Sequence, residues 1–340
     1  MAQRQPEIGC GKLGSRQIIV LGMHRSGTSM LAHLVHAAGV SIGQTSDLLT
    51  PDSNNPSGYW EHEPLVKFNN FLLKTADASW AVPPSSSDQI SDLLKQSALV
   101  ERAQQLIQSM GSLSPLWVWK DPRLSLLLPF WRALLPNAVY IIAIRHPVAV
   151  AHSLKTRNGF PLSAGILLWQ LYVQSILCEL PQEAPSLHVS YEGFLQQPSQ
   201  ECIRLSGFLN DTFGAVSDAR QRLDAMMGVI ETEGRDSSRP SGSESLLLDS
   251  GQRKLYDACQ ELTREGGKSS LFHTPGYEVY PGWRDYLSLC EGVFLRGRRR
   301  MRAANNSASR AGRSFMIACS NLTRRLGLFR DRGAKSRFPQ

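Results

Sequence analysis

Closely spaced cysteine pairs are missing from this 340-residue sequence: Cys10, Cys178, Cys202, Cys259, Cys290 and Cys319 lie far apart. That scatter excludes zinc-ribbon and dithiol motifs, whose ligands sit a few residues from each other. It also argues for reduced thiols rather than the disulfide framework of a small secreted domain. Residues 1–17 are polar and lack the apolar core of a secretory leader. No uninterrupted apolar run approaches the ~20 residues that cross a bilayer. Together these absences predict a cytoplasmic protein.

Acidic side chains are nearly missing from residues 296–340, where 13 Lys or Arg accompany Asp331 alone, for a net +12. The rest of the chain holds 24 basic and 28 acidic residues, a net −4. The overall charge of +8 is therefore a property of the tail and does not mark the body as a nucleic-acid binder. The chain divides into a flexible lead-in (1–16), one large domain (17–290) and a basic, partly disordered or amphipathic tail (291–340). Such a tail could hold polyanions by counterion release without reading sequence. It could also touch an anionic membrane surface, since Phe315, Met316, Ile317, Leu322 and Leu326 alternate with Arg313, Arg324 and Arg325.

The short apolar, β-branched run at 17–21 reads as a strand buried on both faces, and 116–119, 139–144 and 187–190 read as further strands. Helical spacing is read at 29–38, 64–74, 88–110, after Pro147 to about 157, at 163–180, at 200–209 and at 257–265. Residues 43–60, rich in Asp, Ser, Asn, Pro and Gly, and residues 231–252, rich in Ser, Gly and Arg, read as loops. Strands alternating with helices predict an α/β fold with a central parallel sheet flanked by helices, a three-layer arrangement of the P-loop type.

The segment Gly22-Met-His-Arg-Ser-Gly-Thr-Ser29 lies between a strand and a helix. A turn there aims backbone N–H groups and the helix dipole at one point, which suits an anion. Its spacing matches the GxxxxG of a phosphate loop, but Thr28 stands where a nucleotide triphosphatase has lysine, and Arg25 supplies the charge instead. The strand 139–144 ends in Arg145 rather than in an acid that would help hold Mg²⁺. A metal-free phosphosulfate fits these residues better than a magnesium triphosphate.

With these motifs the chain resembles the sulfotransferase superfamily that uses 3′-phosphoadenosine-5′-phosphosulfate (PAPS), most closely its bacterial members and the protein-tyrosine branch. The resemblance implies that Arg25, Ser26, Gly27, Thr28 and Ser29 bind the 5′-phosphosulfate. It implies that Arg145, in Ile144-Arg145-His146-Pro147, and Ser153 take the donor's 3′-phosphate. Trp119-Lys120-Asp121-Pro122-Arg123 resembles the Lys-Asp-Pro of the tyrosyl enzymes, which makes Lys120 the cation at the bridging oxygen. Arg123 stays open between a substrate contact and a salt bridge.

The segment Asn55-Pro-Ser-Gly-Tyr-Trp-Glu61 falls where family members keep a glutamate base, so Glu61 is assigned that role with Glu63 as its rival. His24, His62, His146 and His152 read as loop or packing residues. Tyr191-Glu192 after the fourth strand reads as structural, and Trp169 and Tyr172 as core. The segment that closes over the adenine in the cytosolic branch is missing, with Arg235 or Arg239 as possible substitutes. The expected reaction is metal-free, in-line sulfonate transfer from PAPS to a hydroxyl of a carbohydrate or other polar acceptor, with no specific nucleic-acid partner. The alternatives are a P-loop kinase or NTPase, and a non-catalytic polyanion- or membrane-binding protein that acts through the tail.

Overall fold

The computed structural model describes residues 16–52, 55–214, 218–233, 247–264 and 282–303. Four strands, β1 (Arg16–Leu21), β2 (Leu116–Lys120), β3 (Val139–Ile144) and β4 (Ser186–Ser190), form one sheet in the order β2-β1-β3-β4. All three pairings are parallel, with Ile19 opposite Trp119 and Tyr140, and Ile142 opposite His188. Because side chains alternate along a strand, Ile18, Val20, Val118, Ile141, Ala143, Leu187 and Val189 face one core while Ile19, Leu21, Trp117, Trp119, Tyr140 and Ile142 face the other.

Each core is closed by helices. One takes α1 (Thr28–Ala37), α8 (Tyr191–Gln196), α9 (Pro198–Phe213) and α10 (Ala219–Glu233). The other takes α2 (Glu63–Thr75), α4 (Ser97–Leu113), α5 (Leu124–Leu134), α6 (Pro147–Asn158), α7 (Leu162–Glu179), α11 (Ser250–Arg264) and α12 (Trp283–Ala303). The expected parallel three-layer α/β arrangement is what the chain forms.

Individual elements differ from the sequence reading. The single helix expected at 88–110 is divided into α3 (Ser87–Ser91), a 3-10 turn (Asp92–Lys95) and α4, because Gln96 is extended at φ −95° and ψ 99°. That break lets Leu93 and Leu99 both enter the core. Helix α5 carries Pro129 in its interior; the ring cannot donate to the Ser125 carbonyl, and Ser175 Oγ of α7 donates to that oxygen instead, at 2.7 Å. Helix α11 begins at Ser250, within the expected loop, and α12 runs through residue 291, where the sequence reading starts the tail. Arg235, Arg239 and residues 304–340 lie outside the described residues.

Two contacts set distances. A side chain on Gly165 of α7 would meet the Ala151 backbone of α6 at 2.6 Å, so these helices touch through their smallest residues. The four strands also end on one edge, and the connection from β1 runs to β2 on one side while the next crosses from β2 back over β1 to β3 on the other. Such a switch point opens a crevice at the carboxyl ends of the strands.

His188 on β4 is fully buried, and neither ring nitrogen has a hydrogen-bond partner among the described residues. Burial, aided by Arg204, pulls its pKa from 6.5 down to about 4. As pH falls, the unfolded chain takes this proton before the folded one does. Stability is therefore intact above pH 6.5, declines towards pH 4 and levels below, a loss of about 3 kcal/mol from this group. His188→Leu should flatten the fall in urea-unfolding free energy across that window; an unchanged slope would remove His188 as its source.

Candidate active site

The loop between β1 and α1 is shaped by three unusual backbone positions. Gly22 has φ 145°, and a Cβ there would meet the Ala143 carbonyl at 2.9 Å. Gly27 has φ 84°, and a Cβ there would lie 2.3 Å from the Tyr191 ring. Arg25 adopts φ 69°, which is costly for a residue with a side chain. Ser26 N–H donates to the Met23 carbonyl at 3.1 Å and closes the turn. Ser125 fastens its start: the hydroxyl accepts from Gly22 N–H at 3.0 Å and lies 3.2 Å from the Gly22 carbonyl.

The loop opens an anion-binding end. No side chain among the described residues caps the first turn of α1, and no acid lies in that turn, so its N–H groups point outward with the positive end of the dipole. Ser26 Oγ is buried without a hydrogen-bond partner among the described residues. Lone buried hydroxyls are costly, and this one sits where an oxyanion would be held.

The cations predicted from sequence converge here. Arg25 Nε donates to Ser153 Oγ of α6 at 2.7 Å, and Arg145 Nη1 donates to the Arg25 carbonyl at 2.8 Å. The Arg145 guanidinium is buried and lies 4.3 Å from the centre of the Tyr191 ring. Tyr191, read from the sequence as structural, thus walls both Gly27 and Arg145. Its neighbour Glu192 accepts from His146 N–H at 3.0 Å and holds the β3–α6 turn.

Across the loop, Lys120 at the end of β2 is 2% exposed. Its ammonium donates to Glu61 Oε1 at 2.6 Å and to the Tyr59 carbonyl at 2.7 Å. Ser29 Oγ donates to the same carbonyl at 3.3 Å, which joins the Glu61–Lys120 pair to the loop. Arg123 forms the salt bridge the sequence left open, at 2.8 Å from Asp121, and reaches Glu61 Oε2 at 3.6 Å. Burial pulls its pKa down, but the carboxylates of Asp121 and Glu61 outweigh that and the net direction is up. Asp121 is held from behind by Asn69, which also accepts from the Trp131 indole. Glu63, the rival carboxylate, is half exposed on α2 and pairs with Lys67 at 2.9 Å.

Two further residues enter that the motifs did not place in the site. Arg157 follows Ser153 by one helical turn and so shares its face of α6. It packs on the Trp80 ring, and burial followed by repulsion from Arg25 lowers its pKa to about 10. The i+4 spacing from Ser153 was the signal available in the sequence. His24 packs edge-on to Trp80 and Tyr172, with centroids at 4.9 Å and 6.0 Å. Burial, then the fields of Arg123, Arg157, Lys120 and Arg25, hold its pKa well below the usual imidazole range. His24 is therefore a neutral ring among cations.

A parallel sheet whose switch point carries an uncapped helix N-terminus, clustered arginines and a buried Lys–Glu pair defines an anion-handling α/β protein. The sulfotransferase family model matches residues 17–213, more than half of the chain, and the chain belongs to that family. A Caenorhabditis elegans protein called "Putative protein-tyrosine sulfotransferase" is 29% identical over 147 residues, covering 41% of this chain and 57% of that one. A Caenorhabditis briggsae protein of the same name is 28% identical over 203 residues, covering 57% and 65%. The chain thus spans less than two thirds of either relative. Among solved structures, the sulfotransferase STF9 from Mycobacterium avium is 15% identical with a TM-score of 0.42, covering 74% of this chain and 76% of that one. The sulfotransferase domain of the Synechococcus PCC 7002 olefin synthase is 16% identical with a TM-score of 0.37, covering 82% and 94%.

Breaking the buried pair should be costly. Lys120→Met leaves the Glu61 carboxylate without its nearest cation and should lose about 3 kcal/mol in urea unfolding. The double variant Lys120→Met/Glu61→Gln should recover most of that loss. Equal losses in the single and double variants would show that the pair is not coupled.

Proposed function

We propose that this chain transfers a sulfonate group from PAPS to an acceptor hydroxyl. The observation that supports this best is the meeting of the Gly22–Ser29 loop with the Lys120–Glu61 pair through the shared Tyr59 carbonyl. It sets an anion cradle, a fixed ammonium and a carboxylate side by side at the carboxyl edge of the sheet. Five cationic side chains (Arg25, Lys120, Arg123, Arg145 and Arg157) stand there with Glu61 and Asp121, an excess suited to a multiply charged nucleotide. Thr28 in place of a lysine weighs against a nucleoside triphosphate.

In this reading the loop residues Arg25, Ser26, Gly27, Thr28 and Ser29 hold the 5′-phosphosulfate, and Arg145 and Ser153 hold the 3′-phosphate with Arg157 beside them. The acceptor oxygen attacks sulfur as its proton passes to the Glu61 carboxylate. The bond from sulfur to the bridging oxygen breaks, and its electron pair stays on that oxygen. Lys120 stabilises this developing charge. Adenosine 3′,5′-bisphosphate and the sulfate ester are the products. The acceptor is read from the sequence as a carbohydrate hydroxyl. A tyrosyl phenol is the second reading, supported by the names of the two nematode relatives.

Calorimetric titration with adenosine 3′,5′-bisphosphate should give binding that does not require Mg²⁺ and far exceeds that of ATP. A preference for magnesium ATP, or no nucleotide binding, would overturn the reading. Arg145→Ala should weaken this binding by about 2–5 kcal/mol. Glu61→Gln should leave it intact while lowering turnover about 100-fold or more, and parallel loss of both would remove Glu61 as base. Transfer from radiolabelled PAPS to an oligosaccharide and to a tyrosyl peptide decides between the two acceptors.

A further inference from the structure

The residue before Glu61 is strained. Trp60 has φ 55°, a left-handed conformation unfavourable for a bulky side chain. Such a conformation persists only where the surroundings impose it, and here those surroundings come from distant elements. The indole stacks on the His33 imidazole with centroids 4.0 Å apart and planes 22° apart, and touches the His36 ring at 5.6 Å. These histidines lie three residues apart on α1 and share one face.

Each imidazole is itself fixed. His33 Nδ1 lies 2.6 Å from Glu233 Oε1 at the end of α10, and His36 Nδ1 lies 2.9 Å from the Val40 carbonyl. The indole N–H donates to the Ser57 carbonyl at 3.1 Å. On either side of Trp60 the backbone is pinned: the Tyr59 carbonyl accepts from Lys120 and Ser29, and the Glu61 carbonyl accepts from Leu49 N–H at 2.8 Å.

We propose that Trp60, clamped by the His33–Glu233 pair, is a positioning residue that sets the Glu61 carboxylate and the Tyr59 carbonyl against the Lys120 ammonium. The transfer chemistry uses none of Trp60, His33 or Glu233 directly. They act by fixing the short segment that carries both the Tyr59 carbonyl and the Glu61 carboxylate to which the Lys120 ammonium donates. The proposal rests on the reading of Glu61 as base, and it adds a connection from α10 through α1 to that base.

Trp60→Gly is the informative change, because glycine tolerates the left-handed backbone while the stack is lost. Trp60→Phe keeps an aromatic face. In a donor-free crystal structure, Trp60→Gly should displace Glu61 from Lys120 and Trp60→Phe should not; an unchanged contact in the glycine variant would overturn the proposal.

With the acceptor that responds in the transfer assay, Trp60→Gly should lower kcat by about 100-fold, the cost of misplacing a reacting group by about 1 Å. Affinity for adenosine 3′,5′-bisphosphate should be unchanged, and no further loss should appear when Glu61→Gln is already present. Where Glu61→Gln lowers turnover, wild-type kcat in Trp60→Gly would also overturn the proposal. Full turnover in Glu61→Gln alone would overturn only the base assignment, since the displacement of the carboxylate is read separately. If Trp60→Gly does not fold, His33→Ala removes the stacking partner with the indole in place, and the same outcomes decide.

Discussion

Taking an ammonium and a carboxylate out of water costs several kcal/mol per ion, and mutual attraction offsets this only with close geometry and further hydrogen bonds. Lys120 and Glu61 meet that condition at 2.6 Å, and much of the surrounding structure serves to keep it met. The second hydrogen bond of the ammonium goes to a backbone carbonyl rather than to a mobile side chain. The second carboxylate oxygen faces Arg123, which Asp121 and Asn70 orient. Asp121 is in turn held by Asn69, and Asn69 by Trp131. The polar site is thus continuous with the aromatic core beneath it.

The same economy links helix α5 to the loop. Pro129 frees the Ser125 carbonyl, Ser175 of α7 satisfies it, and the Ser125 hydroxyl meets both polar backbone groups of Gly22. One serine in the first turn of α5 therefore couples α7 to the beginning of the anion loop. Tyr191 does comparable work from the first position of α8, since its ring limits Gly27 on one side and carries Arg145 on the other. Loop, strand ends and helices are braced against each other by single atoms.

What the sequence revealed was local. The loop 22–29 could be recognised because strand, glycines, hydroxyls and helix are adjacent in the chain. β1 and β3 could be recognised because burial on both faces favours apolar runs rich in β-branched residues. Glu61 and Lys120 could be named by type and place, but not paired, because 58 residues separate them in the chain. Helix α5 escaped notice because it is apolar on nearly every side and carries a proline, so neither periodicity nor propensity marked it. The break at Gln96 lacks any glycine or proline signal, and tertiary packing of Leu93 and Leu99 decides it. The roles of Tyr191 and Trp60 depend on rings from other elements, which no spacing rule reports.

The contact between Gly165 and Ala151 gives the site a fixed gauge. Helix α6 carries Ser153 and Arg157 inward, and α7 stands behind it with no side chain to yield at the crossing. A methyl group added there cannot be absorbed by a rotamer change; it must push α6 as a body. Ser153 and Arg157 would then shift together relative to β1. The width of the crevice at the carboxyl ends of the strands therefore depends on two of the smallest residues in the chain, Gly165 and Ala151.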